Sequence, residues 1–434
     1  MFKKLSKQER AWVFYDLAES PYTITVMATI MGMYFYDSAS AAFGVGVDEV
    51  TSLVSPYWAF GTAAAMLFTG ALAPILGALT GYIGKKKLVF NLFVGLGALA
   101  TAAIALVPED MWFVLLIVYV ISMIGYQGAN KIYNAFLVDV TPNERMNRIS
   151  TLAFGVGYLG CVPPFIVSIA PLLLIQLGII DMPVVTAYRL ALLITAVWWL
   201  LFTIPMWRNV NQKYGQPIEQ KYVRKSFVTV WMTIKEICKH RAVLLFLLAF
   251  FLYYDGVSSI ISMATIYGRE VGIGAIDLLL VLLVTQLVAG PCAIIYGRLA
   301  DKFGTKTMIY VGIGTYVIIC LLALLMSPDR DVSVLTAMFW GLAMLVGTAQ
   351  GGIQALSRAY FGKIVPKDKS NEFFGFYNIF GRLASILGTS LFGIIALATG
   401  HSHLGIAGVV VLFVAAAIIF KFVPDDKKIN LEGS

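Results

Sequence analysis

Long apolar runs constrain the fold of this chain more than any other feature of its sequence. A helix needs about 20 mostly apolar residues to cross a bilayer, and its backbone groups must bond within the helix because lipid offers no partners. The twelve predicted spans, numbered first to twelfth along the chain, are residues 11–36, 55–81, 87–107, 112–139, 149–176, 187–207, 241–268, 275–300, 306–326, 332–362, 370–398 and 403–423. Hydrophobic residues make up 59% of the 434 and charged residues 13%, far from a soluble composition. We predict an all-α polytopic membrane protein with twelve transmembrane helices.

Basic residues lie mostly on one side of these spans, the side that also holds both termini. The longest loop on that side is residues 208–240, between the sixth and seventh spans, and it is rich in Lys and Arg. The loops of the opposite side hold only Arg189, Arg269 and Arg330. The positive-inside rule then predicts cytoplasmic termini in a plasma (inner) membrane. The net charge of +8 is therefore read as a topology signal, and no nucleic-acid partner is expected. An alternative role for the basic loop is binding of anionic lipid.

Signals for other chemistry are weak. The four cysteines are Cys161, Cys238, Cys292 and Cys320. None is closely paired, as a disulfide framework or zinc site would require. His401 and His403 lack further ligands for a metal ion. The chain has no phosphate-binding loop and no nucleophile elbow or histidine-rich cluster. We expect no enzymatic activity, no cofactor and no metal site.

An internal repeat divides the chain into two halves. Residues 77–87 match residues 297–307 at a shift of 220, sharing glycines, a leucine and a lysine. Further along, residues 157–159 match residues 381–383 at a shift of 224. Two six-helix halves of the same orientation are the pattern of parallel repeats in secondary transporters. The predicted N-terminal half, cytoplasmic central loop and C-terminal half are residues 1–207, 208–240 and 241–434.

A glycine-rich motif follows the second span of each half. The second half has it complete, at Gly297, Leu299, Asp301, Lys302 and Gly304. This sequence resembles the most specific motif of the major facilitator superfamily, Gly-x-Leu-x-Asp-Lys/Arg-x-Gly. The first half keeps Gly77 and Gly84, but Gly81 stands at the aspartate position and Tyr82 at the basic one. The resemblance implies a gating role for the motif, with a weaker or differently built gate in the first half.

Several further segments resemble one branch of that superfamily. They are Trp12–Asp16, Asn134–Leu137, Gly157–Gly160, Tyr254–Gly256, Gly351–Arg358 and Glu372–Gly375. Together they are similar to the vacuole-effluxer-like branch, which is related to the autophagy-associated amino-acid effluxer of fungal vacuoles. The likeness covers essentially the whole chain. It implies a transporter fold and, less specifically, an amino-acid-like substrate.

Polar residues recur at helical spacing inside several spans, where positions three and four apart share a face. The candidate substrate-binding residues are Gln127, Asn130, Lys131, Asn134, Tyr158, Gln350, Gln354, Arg358, Asn378 and Arg382. The resemblance implies that the spans holding them line a central cavity. A buried guanidinium requires an anionic partner, which favours a small zwitterionic or anionic solute. The alternatives are hydrogen bonding between helices for the amides and snorkelling to the membrane edge for Arg358 and Lys131.

Three of the acids inside predicted spans are candidates for proton coupling. Asp16 and Glu19 share a face of the first span, and Asp255 lies in the middle of the seventh. Burial and a neighbouring cation act in opposite senses on the ionisation of a carboxyl group. We therefore hypothesise that these three residues couple transport to protons. The structural alternative for Asp16 and Glu19 is a permanent salt bridge that locks the first helix.

The sequence as a whole favours a secondary active transporter that works by alternating access. Export of an amino-acid-like solute is the leading hypothesis, with protons as a coupling ion. The expected partners are a small-molecule substrate and membrane lipid, and a monomer is expected. One alternative is a lipid, amphiphile or drug exporter. Another is a receptor or scaffold built on a transporter fold, which would have no need of buried Arg382 and Asp255.

Overall fold

The computed structural model describes residues 5–217, 222–270, 272–326, 330–383, 386–399 and 402–425. In this part of the chain the secondary structure is helical, apart from one isolated bridge between Tyr82 and Gln216. Ten helices among the described residues are long and apolar enough to cross a membrane. The first span is built from shorter helical pieces. The prediction of an all-α polytopic fold is confirmed.

Helices cover all six predicted spans of the first half. They are Lys7–Pro21, Tyr22–Ile30 and Met31–Phe43 (first span), Val47–Thr80 (second), Lys85–Ile104 (third), Trp112–Ala135 with Leu137–Val140 (fourth), Met146–Gly160 and Val162–Gln176 (fifth), and Val184–Asn209 (sixth). The helix of the second span begins at Val47, directly after Gly46, whereas the sequence predicted a start at residue 55.

The second half repeats this arrangement after a helix in the central loop. The loop helix is Tyr222–Lys239. The spans are Arg241–Glu270 (seventh), Ala275–Phe303 (eighth), Thr305–Ala323 (ninth), Val332–Ile364 (tenth), Ser370–Leu383 and Ile386–Thr399 (eleventh), and Ser402–Lys421 (twelfth). The sequence had indicated only a polar, basic loop where the loop helix lies.

The first span changes its helical form in the middle of its length. Pro21 ends the α-helical part, and residues Tyr22–Ile30 form a π-helix before α-helix resumes at Met31. Proline has no N–H to donate, so it cannot make the bond that a regular helix needs at that point. Stretches of π-helix are rare and are frequently found at functional sites. Here the π-helix directly follows the turn that carries Asp16 and Glu19.

The two halves pack closely near the ends of the spans that face the side of the termini. A Cβ atom at Gly77 would lie 2.6 Å from the carbonyl oxygen of Asn371 in the eleventh span. Similarly, a Cβ at Gly297 of the eighth span would collide with the side chain of Thr151 in the fifth. Glycine is needed at both crossings because it lets the two backbones approach. The halves are therefore closed against each other on the side of the termini.

Candidate functional site: the central cavity

A cavity of about 510 Å³ lies between the halves. Seven spans contribute to its wall: the first, second, fourth, fifth, seventh, tenth and eleventh. Nine of the predicted site residues line it: Asp16, Glu19, Asn130, Lys131, Asn134, Tyr158, Gln354, Arg358 and Asn378. The polar stripes of the fourth and tenth spans therefore meet in one space. Whether these residues bind substrate remains a prediction.

Arg358 reaches from the tenth span into the first half. Its Nε donates to Ser150 Oγ at 2.9 Å and its Nη1 donates to Asn134 Oδ1 at 3.0 Å. Its Nη2 lies 3.2 Å from the carbonyl oxygen of Ser150 and 3.5 Å from Asp16 Oδ2. All of these partners belong to the first six spans. Only 3% of Arg358 is exposed, so its guanidinium is buried between the halves and does not extend to the membrane edge.

Aromatic rings enclose the same guanidinium. Its central carbon lies 4.5 Å from the ring centroid of Phe154 and 4.6 Å from that of Trp12. The ring of Tyr133 is 5.4 Å away. Such contacts stabilise a desolvated cation through the negative face of the ring. The site therefore holds the arginine by charge, hydrogen bonds and ring stacking at once.

The two acids of the first span have different partners. Tyr133 donates its hydroxyl to Asp16 Oδ2 at 2.6 Å, the oxygen that also faces Arg358. Asn130 donates Nδ2 to Glu19 Oε1 at 2.5 Å. The other oxygen of Glu19, Oε2, is buried with no hydrogen-bond partner among the described residues, although Tyr15 lies beside the carboxyl group. Glu19 thus lines the cavity with its carboxyl group held between Asn130 and Tyr15.

Amide side chains link the fourth and eleventh spans across the cavity. Asn134 Nδ2 lies 3.2 Å from Asn130 Oδ1 and 3.4 Å from Asn378 Oδ1. Asn378 in turn donates to the carbonyl oxygen of Lys131 at 3.3 Å. Lys131 donates its Nζ to the carbonyl oxygen of Thr69 in the second span. The chain of contacts therefore crosses from one half to the other next to Arg358.

Three predicted substrate-binding residues are not placed in this wall. Gln127 is fully buried between the second and fourth spans, where Thr69 donates to its Oε1 at 2.6 Å. Gln350 lines a separate, mostly apolar cavity of about 150 Å³ in the second half. The side chain of Arg382 lies outside the described residues. The interpretation of Gln127 as an amide that hydrogen-bonds neighbouring helices fits its contacts.

Asp255 is also absent from the wall of this cavity, and it binds backbone amides of the eleventh span. It is fully buried and accepts hydrogen bonds from the backbone N–H groups of Leu387 at 3.1 Å and Gly388 at 2.7 Å. Ser259 donates to the same carboxyl group at 3.3 Å. Both amides belong to the eleventh span. A carboxylate that accepts from two backbone N–H groups makes charge-assisted hydrogen bonds, so Asp255 joins the seventh span to the eleventh.

The last glycine of each gating motif lies at the turn between two spans. Gly84 and Gly304 have φ angles of +78° and +96°, a region that glycine adopts without strain. Asp301 lies near Asn147 and Arg148 of the fifth span. Lys302 is exposed and lies over the ring of Phe303. The motif of the second half therefore faces the first half at the side of the termini.

Several residues that hold the site were absent from the sequence prediction. Tyr133, Ser150, Trp12 and Phe154 contact Asp16 or Arg358 directly. A signal for Tyr133 existed, because Tyr126, Asn130 and Tyr133 share one face of the fourth span. Ser150 gave no such signal, since its partner lies 208 positions along the chain.

The fold with its central cavity defines the class of protein. Among solved structures, the chain is similar to the proton:xylose symporter XylE of the major facilitator superfamily, with a TM-score of 0.70, 13% identity and coverage of 96% of each chain. It is also similar to the human organic anion transporter MFSD10, with a TM-score of 0.63, 14% identity and coverage of 95% of this chain and 99% of that one. At these identities the likeness shows the fold alone. The fold is that of a major facilitator transporter.

Sequence comparison identifies the family within that fold. The family model described as "Vacuole effluxer Atg22 like" matches residues 5–432, and the chain belongs to this family. It is 48% identical to the "Uncharacterized MFS-type transporter YxiO" of Bacillus subtilis (strain 168), over 98% of this chain and 97% of that protein. It is 22% identical to "Autophagy-related protein 22" of Kluyveromyces lactis, over 89% of this chain and 87% of that protein. The chain is thus a multi-pass membrane transporter and not an enzyme.

Proposed function

We propose that this transporter exports a small zwitterionic or anionic solute, with an amino acid as the favoured type, by alternating access coupled to protons. The observation that carries the proposal is the pairing of opposite charges in one buried cavity. Among the described lining residues, Asp16 and Glu19 supply two acids, and Lys131 and Arg358 supply two bases. A solute that bears both charges can satisfy such a wall without leaving a net buried charge.

Each end of an amino acid has a partner in this arrangement. The carboxylates of Asp16 and Glu19, which line the cavity, are suited to accept hydrogen bonds from an ammonium group. A carboxylate is suited to the guanidinium of Arg358, which can donate two parallel hydrogen bonds. In the present state those donors face Asn134, Ser150 and Asp16. The substrate carboxylate would therefore have to replace Asp16.

Asp16 provides the route for that exchange. When its carboxyl group is ionised, Asp16 competes with substrate for Arg358. A zwitterion can break the pair by placing its ammonium group at ionised Asp16 and its carboxylate at Arg358, and a proton on Asp16 breaks the pair when no solute is bound. Proton and solute then occupy Asp16 in turn, so protons that move inward drive the solute outward. The name of the fungal relative, an autophagy-related protein, and the vacuole effluxer description of the family support export of a small metabolite.

The orientation of the protein follows from its charge asymmetry. We place both termini in the cytoplasm because most Lys and Arg residues lie on that side. The halves would then be closed at the cytoplasmic face, with the cavity separated from the cytoplasm. We place the protein in the plasma membrane and expect a monomer in contact with lipid.

Uptake into proteoliposomes tests the proposal. Radiolabelled amino acids would be offered with and without an imposed pH gradient, to wild-type protein and to Asp16→Asn. We expect gradient-driven uptake by the wild type, and uptake by Asp16→Asn that no longer responds to the gradient. Uptake that responds equally in both proteins would contradict coupling at Asp16. Folded protein that transports no amino acid would contradict the substrate class.

An exporter of amphiphilic compounds is the second candidate. Aromatic side chains favour it, since Phe250, Tyr254 and Tyr377 line the cavity beside the polar residues. Phe250 and Tyr377 stack with ring centroids 4.3 Å apart. Competition by a lipophilic cation or a lipid analogue in the same uptake assay separates the two candidates. A scaffold without transport would show neither uptake nor competition.

A further inference from the structure

The two halves are closed on the side of the termini by matching asparagines. Asn147 of the fifth span donates Nδ2 to Thr305 Oγ1 of the ninth span at 3.0 Å. Asn371 of the eleventh span donates Nδ2 to the carbonyl oxygen of Thr80 in the second span at 3.1 Å. The two asparagines are related by the repeat shift of 224, and each bonds to the opposite half. We call the contact of Asn371 with the second span the first gate, because it includes the motif of the first half, and the contact of Asn147 with the ninth span the second gate.

The next position along each helix carries opposite charge in the two gates. Arg148 follows Asn147, and Glu372 follows Asn371. Arg148 faces the motif of the second half, where Asp301 lies near it. Glu372 faces Gly81, the position where the motif of the first half lacks its acid. A Cβ at Gly81 would lie 3.5 Å from Glu372 Oε1.

We propose that Glu372 supplies the missing acid of the first gate from the opposite half, and that the loop helix Tyr222–Lys239 holds it in place. The acid therefore lies on the second half in the first gate and on the motif of the same half in the second gate, and Lys369 is the cation near Glu372. The first gate is therefore built differently rather than lost. The proposal rests on the alternating access of the proposed function, because only a gate that opens needs such a device.

The loop helix supplies a hydrogen-bond donor to Glu372, whereas Arg148 lies near the acid Asp301 in the second gate. Thr233 of this helix donates its hydroxyl to Glu372 Oε2 at 2.8 Å, and Thr233 is buried at the contact. One turn further on, Glu236 accepts from Lys369 Nζ at 2.8 and 3.0 Å through its two oxygens. Buried Ile237 lies on the same face as Thr233. The helix thus joins the start of the eleventh span at two polar contacts.

Opening on this side must separate the second span from the eleventh. The gate then loses the close approach of Gly81 to Glu372 and the hydrogen bond of Asn371 to Thr80. The loop helix packs against the second span and is also bonded to Glu372 of the eleventh, so it favours the closed gate. The central loop becomes a part of the gate rather than a passive connection between the halves.

A charge exchange tests the assignment of Glu372. Gly81 has right-handed helical angles, φ −63° and ψ −23°, so a side chain meets no backbone strain there. Gly81→Asp would place a second acid against Glu372, and like charges at close contact are costly. Gly81→Asp with Glu372→Arg would recreate the Asp301–Arg148 arrangement. Gly81→Ala is the control for added bulk without charge.

Access to the cavity is the measured quantity. Ser258→Cys would place a single thiol in the wall of the cavity, in protein whose four cysteines are replaced. An impermeant maleimide would be applied from the side of the termini. We expect roughly tenfold faster labelling in Gly81→Asp than in Gly81→Ala, and a return to about the Gly81→Ala rate in the exchanged pair. Equal rates for Gly81→Asp and Gly81→Ala, or no return in the exchanged pair, would overturn the proposal.

The role of the loop helix has its own test. Thr233→Val removes the hydroxyl with little change of shape, and Glu372→Leu removes the carboxyl group that accepts from it. If the helix acts through Glu372, each variant speeds labelling and the two together do no more than the stronger one. Effects that add would show that the helix acts elsewhere. Labelling needs no substrate, so these results stand even if the proposed solute is wrong.

Discussion

Asp16 and Glu19 of the first span and Asp255 of the seventh are all buried, yet they contact different groups. Asp16 and Glu19 line the central cavity beside a cation. Asp255 is bonded to backbone amides of the eleventh span and does not line the cavity. The comparison teaches that burial of a charge does not by itself identify a transport site. The identity of its partners separates an exchangeable contact from a structural one.

The largest effect is expected from Arg358. Arg358→Gln should lower the uptake rate at least about 100-fold, because Asp16 keeps its burial and loses its counter-ion, at a cost of about 3–5 kcal/mol. Arg358→Lys retains the charge but not the planar set of donors, so it should recover only part of the rate. Uptake in proteoliposomes, beside thermal unfolding of each variant, measures this. A fully active Arg358→Gln would remove the cavity charges from the mechanism.

Asp255 should affect stability rather than affinity. Asp255→Ala should lower the free energy of unfolding by about 2 kcal/mol, because two backbone N–H groups lose a charged acceptor. Asp255→Asn should recover much of that loss, since its amide oxygen can still accept one of those hydrogen bonds. Thermal unfolding and the KM for uptake measure both effects. If Asp255 instead carries a proton, the Asn variant will be as impaired in coupling as the Ala variant, and the comparison fails.

A substitution at Glu19 tests whether this residue contacts the ammonium end of the solute. Glu19→Gln keeps an acceptor for Asn130 and removes the negative charge. We expect about tenfold weaker binding of an amino acid, from the loss of a charge-assisted hydrogen bond. Binding of its analogue without the amino group should not change. Competition in the uptake assay gives both affinities, and an equal loss for both ligands would exclude an ammonium contact at Glu19.

The smallest effect is expected at Gln127. Gln127→Leu should change uptake by no more than about twofold, because the amide bonds Thr69 and does not reach the cavity. Its Nε2 has no hydrogen-bond partner among the described residues, so an apolar group of similar size need not destabilise the helix pair. Asn130→Leu is the matched control variant one turn away, and its uptake rate should fall far more than that of Gln127→Leu. Similar losses in both would place Gln127 in the transport path.

The fold was predictable from sequence because lipid leaves few options. Apolar runs must become helices where no water can bond the backbone, so counting runs placed every span. Helical spacing also placed Asn130, Asn134 and Arg358 toward one another, since polar side chains avoid lipid. Both rules depend only on residues that are close together in the chain, so a single sequence is enough to apply them.

The remainder depended on contacts between distant segments. Gln127 and Asn130 belong to one stripe of the fourth span, but only packing against the second span buries Gln127. Asp255 and the amide of Gly388 are 133 positions apart, and nothing in either segment indicates the other. The π-helix after Pro21 shifts the faces of the first span away from regular spacing. Spacing alone cannot resolve such cases.

The contact of Arg358 with Asp16 also ties ligand affinity to conformation. Arg358 belongs to one half and Asp16 to the other, so a solute that takes the place of Asp16 competes with a bond that holds the halves together. The measured affinity is then the intrinsic affinity multiplied by the fraction of molecules in the competent state. Substitutions far from the cavity that loosen the interface can therefore tighten apparent binding without touching the solute. Affinity in this protein reports the balance between states as much as the fit of the ligand.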